Sequence, residues 1–87
     1  MIALVYHPNF LKSARELPPA QQRKLESLLT LLQQNPFHPS LHTKRLSGPL
    51  VGFLSFRGTR DWRVVFRFLG NKTIHLLRVA HRKDIYR

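Results

Sequence analysis

The apolar positions of this 87-residue chain change their spacing along its length, and the changes mark out its elements. Ile2 to Tyr6 is a short, unbroken, partly β-branched run, the pattern of a buried strand. From Pro8 the spacing turns helical. Phe10, Leu11, Ala14 and Leu17 recur on one side, and Pro8 suits a first helical turn. Pro18-Pro19 interrupts this helix, because neither ring offers an N–H and each pushes its predecessor out of the α conformation. A second helix opens at Pro19. Leu25, Leu28, Leu29 and Leu32 stripe it, Gln22, Arg23, Glu26 and Gln33 lie away from the stripe, and Asn35-Pro36 stops it. Two helices across so tight a break predict an antiparallel hairpin.

Asn35 to Pro49 is rich in proline and reads as a loop pinned to the core by Leu41 and Leu46. Beyond it the period falls to two. Leu50 to Arg57 reads as a strand weakened at Gly52, Gly58 to Asp61 as a turn, and Trp62 to Phe68 as the clearest strand in the chain. There Trp62, Val64, Phe66 and Phe68 share one face, and Arg63, Val65 and Arg67 the other. Gly70-Asn71 is a hairpin turn, Thr73 to Val79 a last strand, and His81 to Arg87 a polar, basic tail. The order β-α-α-β-β-β predicts a single α+β domain over residues 1–87, an antiparallel sheet with the helical hairpin packed on one face.

Charge sharpens this picture. Fifteen Lys and Arg stand against four Asp and Glu, a formal net charge of +11, so the first expected partners are polyanions. There is no cysteine, hence no disulfide and no thiolate zinc site, and neither metal nor cofactor is expected. No stretch approaches the roughly 20 apolar residues that span a bilayer, and no basic segment precedes the opening apolar run. A soluble, cytoplasmic protein that makes no use of a membrane is the expectation.

Four segments carry a resemblance: Asn35-Pro36-Phe37-His38-Pro39-Ser40-Leu41, Lys44-Arg45-Leu46-Ser47-Gly48, Trp62-Arg63-Val64-Val65-Phe66 and His81-Arg82-Lys83-Asp84-Ile85-Tyr86. In order and spacing the chain resembles toxins of the RelE/ParE superfamily of type II toxin–antitoxin modules, over nearly its whole length. The resemblance implies a ribosome-dependent endoribonuclease that cuts mRNA in the decoding site, beside 16S rRNA, and a cognate antitoxin that neutralises it. It implies a phosphate-holding role for Arg63. His81 matches a proton-transferring histidine of the YafQ-like branch, Arg82 a basic residue of the RelE branch, and Tyr86 the terminal tyrosine of several members. The chain departs from RelE at Phe53 and Ser55, where RelE carries two lysines.

The chemistry expected of such a site is attack of a ribose 2′-OH on the adjacent phosphorus. That needs a proton acceptor, a proton donor and stabilisation of the phosphorane charge. His81 is the natural proton carrier and Arg63 the phosphate fork, with Arg82 and Tyr86 as further catalytic candidates. Lys44, Arg45, Arg57, Arg60, Arg67 and Lys83 form an RNA-binding fringe, Arg67 as an outer phosphate contact. A segment rich in Glu and Asp from the antitoxin would match so cationic a surface, giving a hetero-oligomer. Two other functions remain open: a ParE-like inhibitor of DNA gyrase sharing the fold, and a non-catalytic protein that binds nucleic acid through charge.

Overall fold

The elements β1 (Ala3–Tyr6), α1 (Pro8–Arg15), α2 (Pro19–Gln34), β2 (Lys44–Arg45), β3 (Leu54–Arg57), β4 (Trp62–Phe68) and β5 (Thr73–His81) follow one another in the computed structural model, which describes residues 1–85. The helical hairpin starts and breaks where its prolines require. His7 Nδ1 accepts the Asn9 N–H at 3.0 Å and caps α1, and Pro8 occupies the first turn. At the break, Gln22 of α2 donates its side-chain amide to the carbonyls of Leu17 and Arg15, at 2.8 and 3.1 Å, satisfying carbonyls that α1 leaves open.

One five-stranded sheet carries the order β1-β5-β4-β3-β2. Strands β3 to β5 form the antiparallel meander, as expected, and β2 extends it by a fourth antiparallel strand. β1 joins its far edge parallel to β5, so the complete sheet is mixed. Parallel neighbours need a long crossover, and the hairpin and meander between β1 and β5 supply it. The strand expected from Leu50 begins only at Leu54. A 3₁₀ turn over Gly48–Leu50 and the positive φ of Gly52, +95°, hold the preceding residues out of the ladder. Lys44–Arg45 pairs with Ser55 and Leu54, adding a strand within the expected loop. A β-bulge interrupts β4–β5 after Val65: Val65 pairs with Arg78 but Phe66 with Leu76, leaving Leu77 as the extra residue.

The main core lies between sheet and helices. Phe10, Leu25, Leu28, Leu32 and Leu41 pack against Leu54, Phe56, Trp62, Val64, Phe66, Ile74 and Leu76. Leu41 does pin the long loop, being fully buried. A second, smaller cluster sits on the opposite sheet face, where Leu46, Val65 and Ile85 meet Leu50, Phe53 and Leu77. Phe66 is fully buried at the centre, its ring 6.1 Å from that of Phe56 and 6.0 Å from that of Phe68. Phe66→Ala is expected to cost about 3–5 kcal/mol, a large share of the roughly 5–15 kcal/mol typical of a domain. Denaturant titration should show the midpoint fall with the slope unchanged.

Candidate functional site

Cross-strand partners share a sheet face, so the register decides what gathers on the side away from the helices. β3 sets Arg57 opposite Arg63 and Ser55 opposite Val65. β2 then places Lys44 opposite Ser55. The chain leaving β5 turns back toward this face. The Arg82 N–H donates to Asp61 O at 2.9 Å, the Asp84 N–H to His81 O at 2.8 Å, and Arg78 Nη2 to Ile85 O at 2.7 Å. Ile85 is thereby buried against Leu46 and Val65. The result is a pocket of about 180 Å³ lined by Lys44, Leu46, Ser55, Arg63, Arg82 and Ile85. Three cationic side chains ring a partly apolar floor.

Arg63 is held from behind. Its Nη1 donates to the carbonyls of Thr59 and Trp62, at 2.6 and 3.2 Å. These bonds fix the guanidinium and leave its charge uncancelled. Partial burial lowers its pKa from the ordinary arginine value, the neighbouring charges of Arg57 and then Arg82 lower it further, and Asp61 opposes them. Arginine stays protonated under such shifts. The part of the lowering that comes from Arg57 and Arg82 reflects the positive charge gathered around Arg63.

The other sequence-named residues divide by place. Arg57 flanks Arg63 on the same face, and Arg60 is exposed in the turn before β4. Arg45 pairs with Leu54 and so belongs to the helix side, its guanidinium carbon 5.7 Å from the Phe37 ring centroid. Lys83 is exposed in the turn after β5. Arg67 lies two pleats from Arg63, its guanidinium carbon 5.9 Å from the Phe53 centroid. Tyr86 lies outside the described residues.

His81 is not brought to this pocket. It pairs with Trp62, and Ala80 with Arg63, so its side chain shares the helix-side face. There it lines a separate groove with Ser13, Glu16, Leu17, Asp61, Trp62, Val79 and Ala80. Its Nδ1 accepts the Lys83 N–H at 3.1 Å, so the neutral ring carries its proton on Nε2. The physical cause is the bulge. Strict alternation from Ile74 and Leu76 would put His81 on the Arg63 face, and the extra Leu77 reverses every residue after it.

Lys44 was read as fringe, yet it stands in the pocket across from Ser55. An amine from β2 thus joins the two guanidinium groups in the pocket. The signal in the sequence was only the pair Lys44-Arg45 ahead of an inward Leu46, too short to show a period.

The two-helix, mixed-sheet fold is that of RelE/ParE superfamily toxins, and in this chain it carries a cationic pocket on the sheet face away from the helices. The model of the ParE toxin of type II toxin–antitoxin system, parDE, matches residues 4–86, and the chain belongs to that family. Among solved structures it is similar to a YoeB/ParE toxin from Agrobacterium tumefaciens, with TM-score 0.80 at 19% identity over 93% of this chain and 99% of that one. It is also similar to YafQ from E. coli, with TM-score 0.75 at 21% identity over the full length of both chains. A third is the toxin–antitoxin complex RelBE2 of Mycobacterium tuberculosis, with TM-score 0.77 at 23% identity over 93% of this chain and 98% of the matched chain. No curated protein matches the chain in sequence.

Proposed function

We propose that the pocket holds a scissile RNA phosphate and that the protein is a ribosome-dependent mRNA endoribonuclease toxin, held inactive by an acidic antitoxin. The observation that carries this reading is the convergence of Arg63, Arg82 and Lys44 on one small pocket, with Arg63 anchored to backbone carbonyls. In the proposed reaction the 2′-oxygen of the message bonds to phosphorus and the P–O5′ bond breaks. The 2′-OH proton passes to a base and the leaving 5′-oxygen takes one up, giving a 2′,3′-cyclic phosphate and a free 5′-OH. Internal attack of this kind proceeds without a metal. Arg63 grips two phosphate oxygens as a fork, and Arg82 and Lys44 add charge as the phosphorane forms.

This assignment gives the cations the larger share of catalysis. For His81 to move a proton at the pocket, the 82–85 turn must release Nδ1 and the imidazole must cross to the other face. Tyr86 remains a proposed proton carrier. A second reading, a ParE-like inhibitor of DNA gyrase, draws support from the matched family and from the outward turn of His81. The two separate in one pair of assays: 5′-OH ends in message on programmed ribosomes, and supercoiling by purified gyrase. We expect Arg82→Ala to lower cleavage about 10²-fold, and His81→Ala to lower it less. Equal losses in both would return His81 to the reacting atoms. Intact message with blocked supercoiling would replace the nuclease reading by the gyrase one.

A further inference from the structure

Across the open sheet face, one row of side chains is planar. Phe53 continues the β3–β4 register toward Arg67, and Arg67 pairs with His75 on β5. The Arg67 guanidinium carbon lies 5.9 Å from the Phe53 ring centroid, at the outer limit of cation–π distance. Phe53 is steadied from below by the Leu46, Val65 and Ile85 cluster, whereas Arg67 is exposed. His75, half-buried, has its ring centroid 5.8 Å from that of His7, which steadies it at the end of the row. The row lies two pleats from Arg63, about 13 Å along the strand, with the Ser55–Val65 row between them.

We propose that Phe53 and Arg67, flanked by His75, form a stacking platform for an unpaired RNA base. A strand running from the Arg63 pocket along the sheet would lay a base on it. The inference rests on the pocket being an RNA site, and it changes the role of Arg67 from phosphate contact to base contact. A guanidinium plane lying over an aromatic ring presents its other face to a base, and such stacking tolerates any base because each has a π-face. It also explains Phe53, a residue with no place in a lysine-based site: here it supports the arginine.

The probes are a short single-stranded oligoadenylate and the same sugar–phosphate chain without bases, bound to the full-length protein at several salt concentrations. Stacking predicts that the wild type prefers the base-bearing strand by about tenfold or more. Arg67→Lys, which keeps the charge and loses the plane, is expected to abolish most of that preference with the salt slope unchanged. Phe53→Leu, which keeps apolar volume in the cluster, should act in the same direction. Arg23→Lys, exposed on α2, should leave the preference intact. Retention of the preference in Arg67→Lys, its loss in Arg23→Lys instead, or no preference in the wild type would each overturn the platform. Cleavage on ribosomes is scored separately. A protein that cuts message without base preference loses the platform and keeps the nuclease reading, and the converse result keeps only the platform.

Discussion

Arg63→Ala is expected to lower message cleavage on programmed ribosomes by about 10²–10³-fold, the loss typical of deleting one preorganised donor to a developing oxyanion, while the unfolding midpoint hardly moves. Rate and stability separate here for a physical reason. The substitution removes two hydrogen bonds to the carbonyls of Thr59 and Trp62, each worth on the order of 1 kcal/mol. It also relieves the repulsion that Arg57 and Arg82 exert on the guanidinium and the cost of its partial burial. These gains offset the loss to the fold, whereas a bound phosphate loses the guanidinium that the Thr59 and Trp62 carbonyls anchor in the pocket. Arg63→Lys supplies the control. An ammonium restores the charge without the bidentate geometry, so it should recover no more than about a tenth of the wild-type rate. Full recovery by lysine would mean that Arg63 acts only as a point charge, and an active Arg63→Ala protein would remove the phosphate from this pocket.

The helical hairpin was legible because its evidence is local: Pro18-Pro19 and Asn35-Pro36 set limits that no tertiary contact can override, and the leucine stripe of α2 fixed its buried side. The β4 strand was legible for the same reason, its alternation being long enough to fix both faces. Arg63 followed from that strand. The rest of the site depends on register, which local pattern does not encode. Two residues of β2 bring Lys44 into the pocket, and only their pairing with β3 reveals it. Gly52 looked like a weak point inside a strand, but its positive φ ends the preceding turn. His81 shows the effect most clearly. Counting alternation along β5 gives the face of Arg63, and one bulged residue, Leu77, gives the face of Trp62. No feature of Leu76-Leu77-Arg78 marks the bulge in the sequence, since a leucine pair fits either register when both faces carry apolar clusters.

Gly58→Ala is expected to damage the fold and the pocket together, although the residue touches no phosphate. Gly58 is buried in the turn before β4, and the face of the Trp62 ring lies against it so closely that an added Cβ would run into ring carbons Cε3, Cζ3 and Cη2. The ring has little freedom to retreat. It is 7% exposed, and its Nε1–H donates to Gln21 Oε1 of α2 at 3.2 Å. The Gly58 N–H is itself bonded to Trp62 O at 3.1 Å, so the backbone cannot open without losing the turn. Overpacking of this kind costs about 3 kcal/mol, enough to lower the denaturation midpoint visibly in so small a domain. The same carbonyl of Trp62, with that of Thr59, anchors Arg63, and Asp61 O anchors Arg82. Displacing Trp62 therefore shifts the Arg63 guanidinium and the backbone that carries Arg82, and cleavage should fall at least tenfold even at temperatures where circular dichroism shows the variant folded. A misplacement near 1 Å is sufficient for a loss of that size. An alanine variant as stable and as active as the wild type would show that the 58–62 turn does not set the pocket's geometry, and would move the origin of Arg63's orientation to β4 itself.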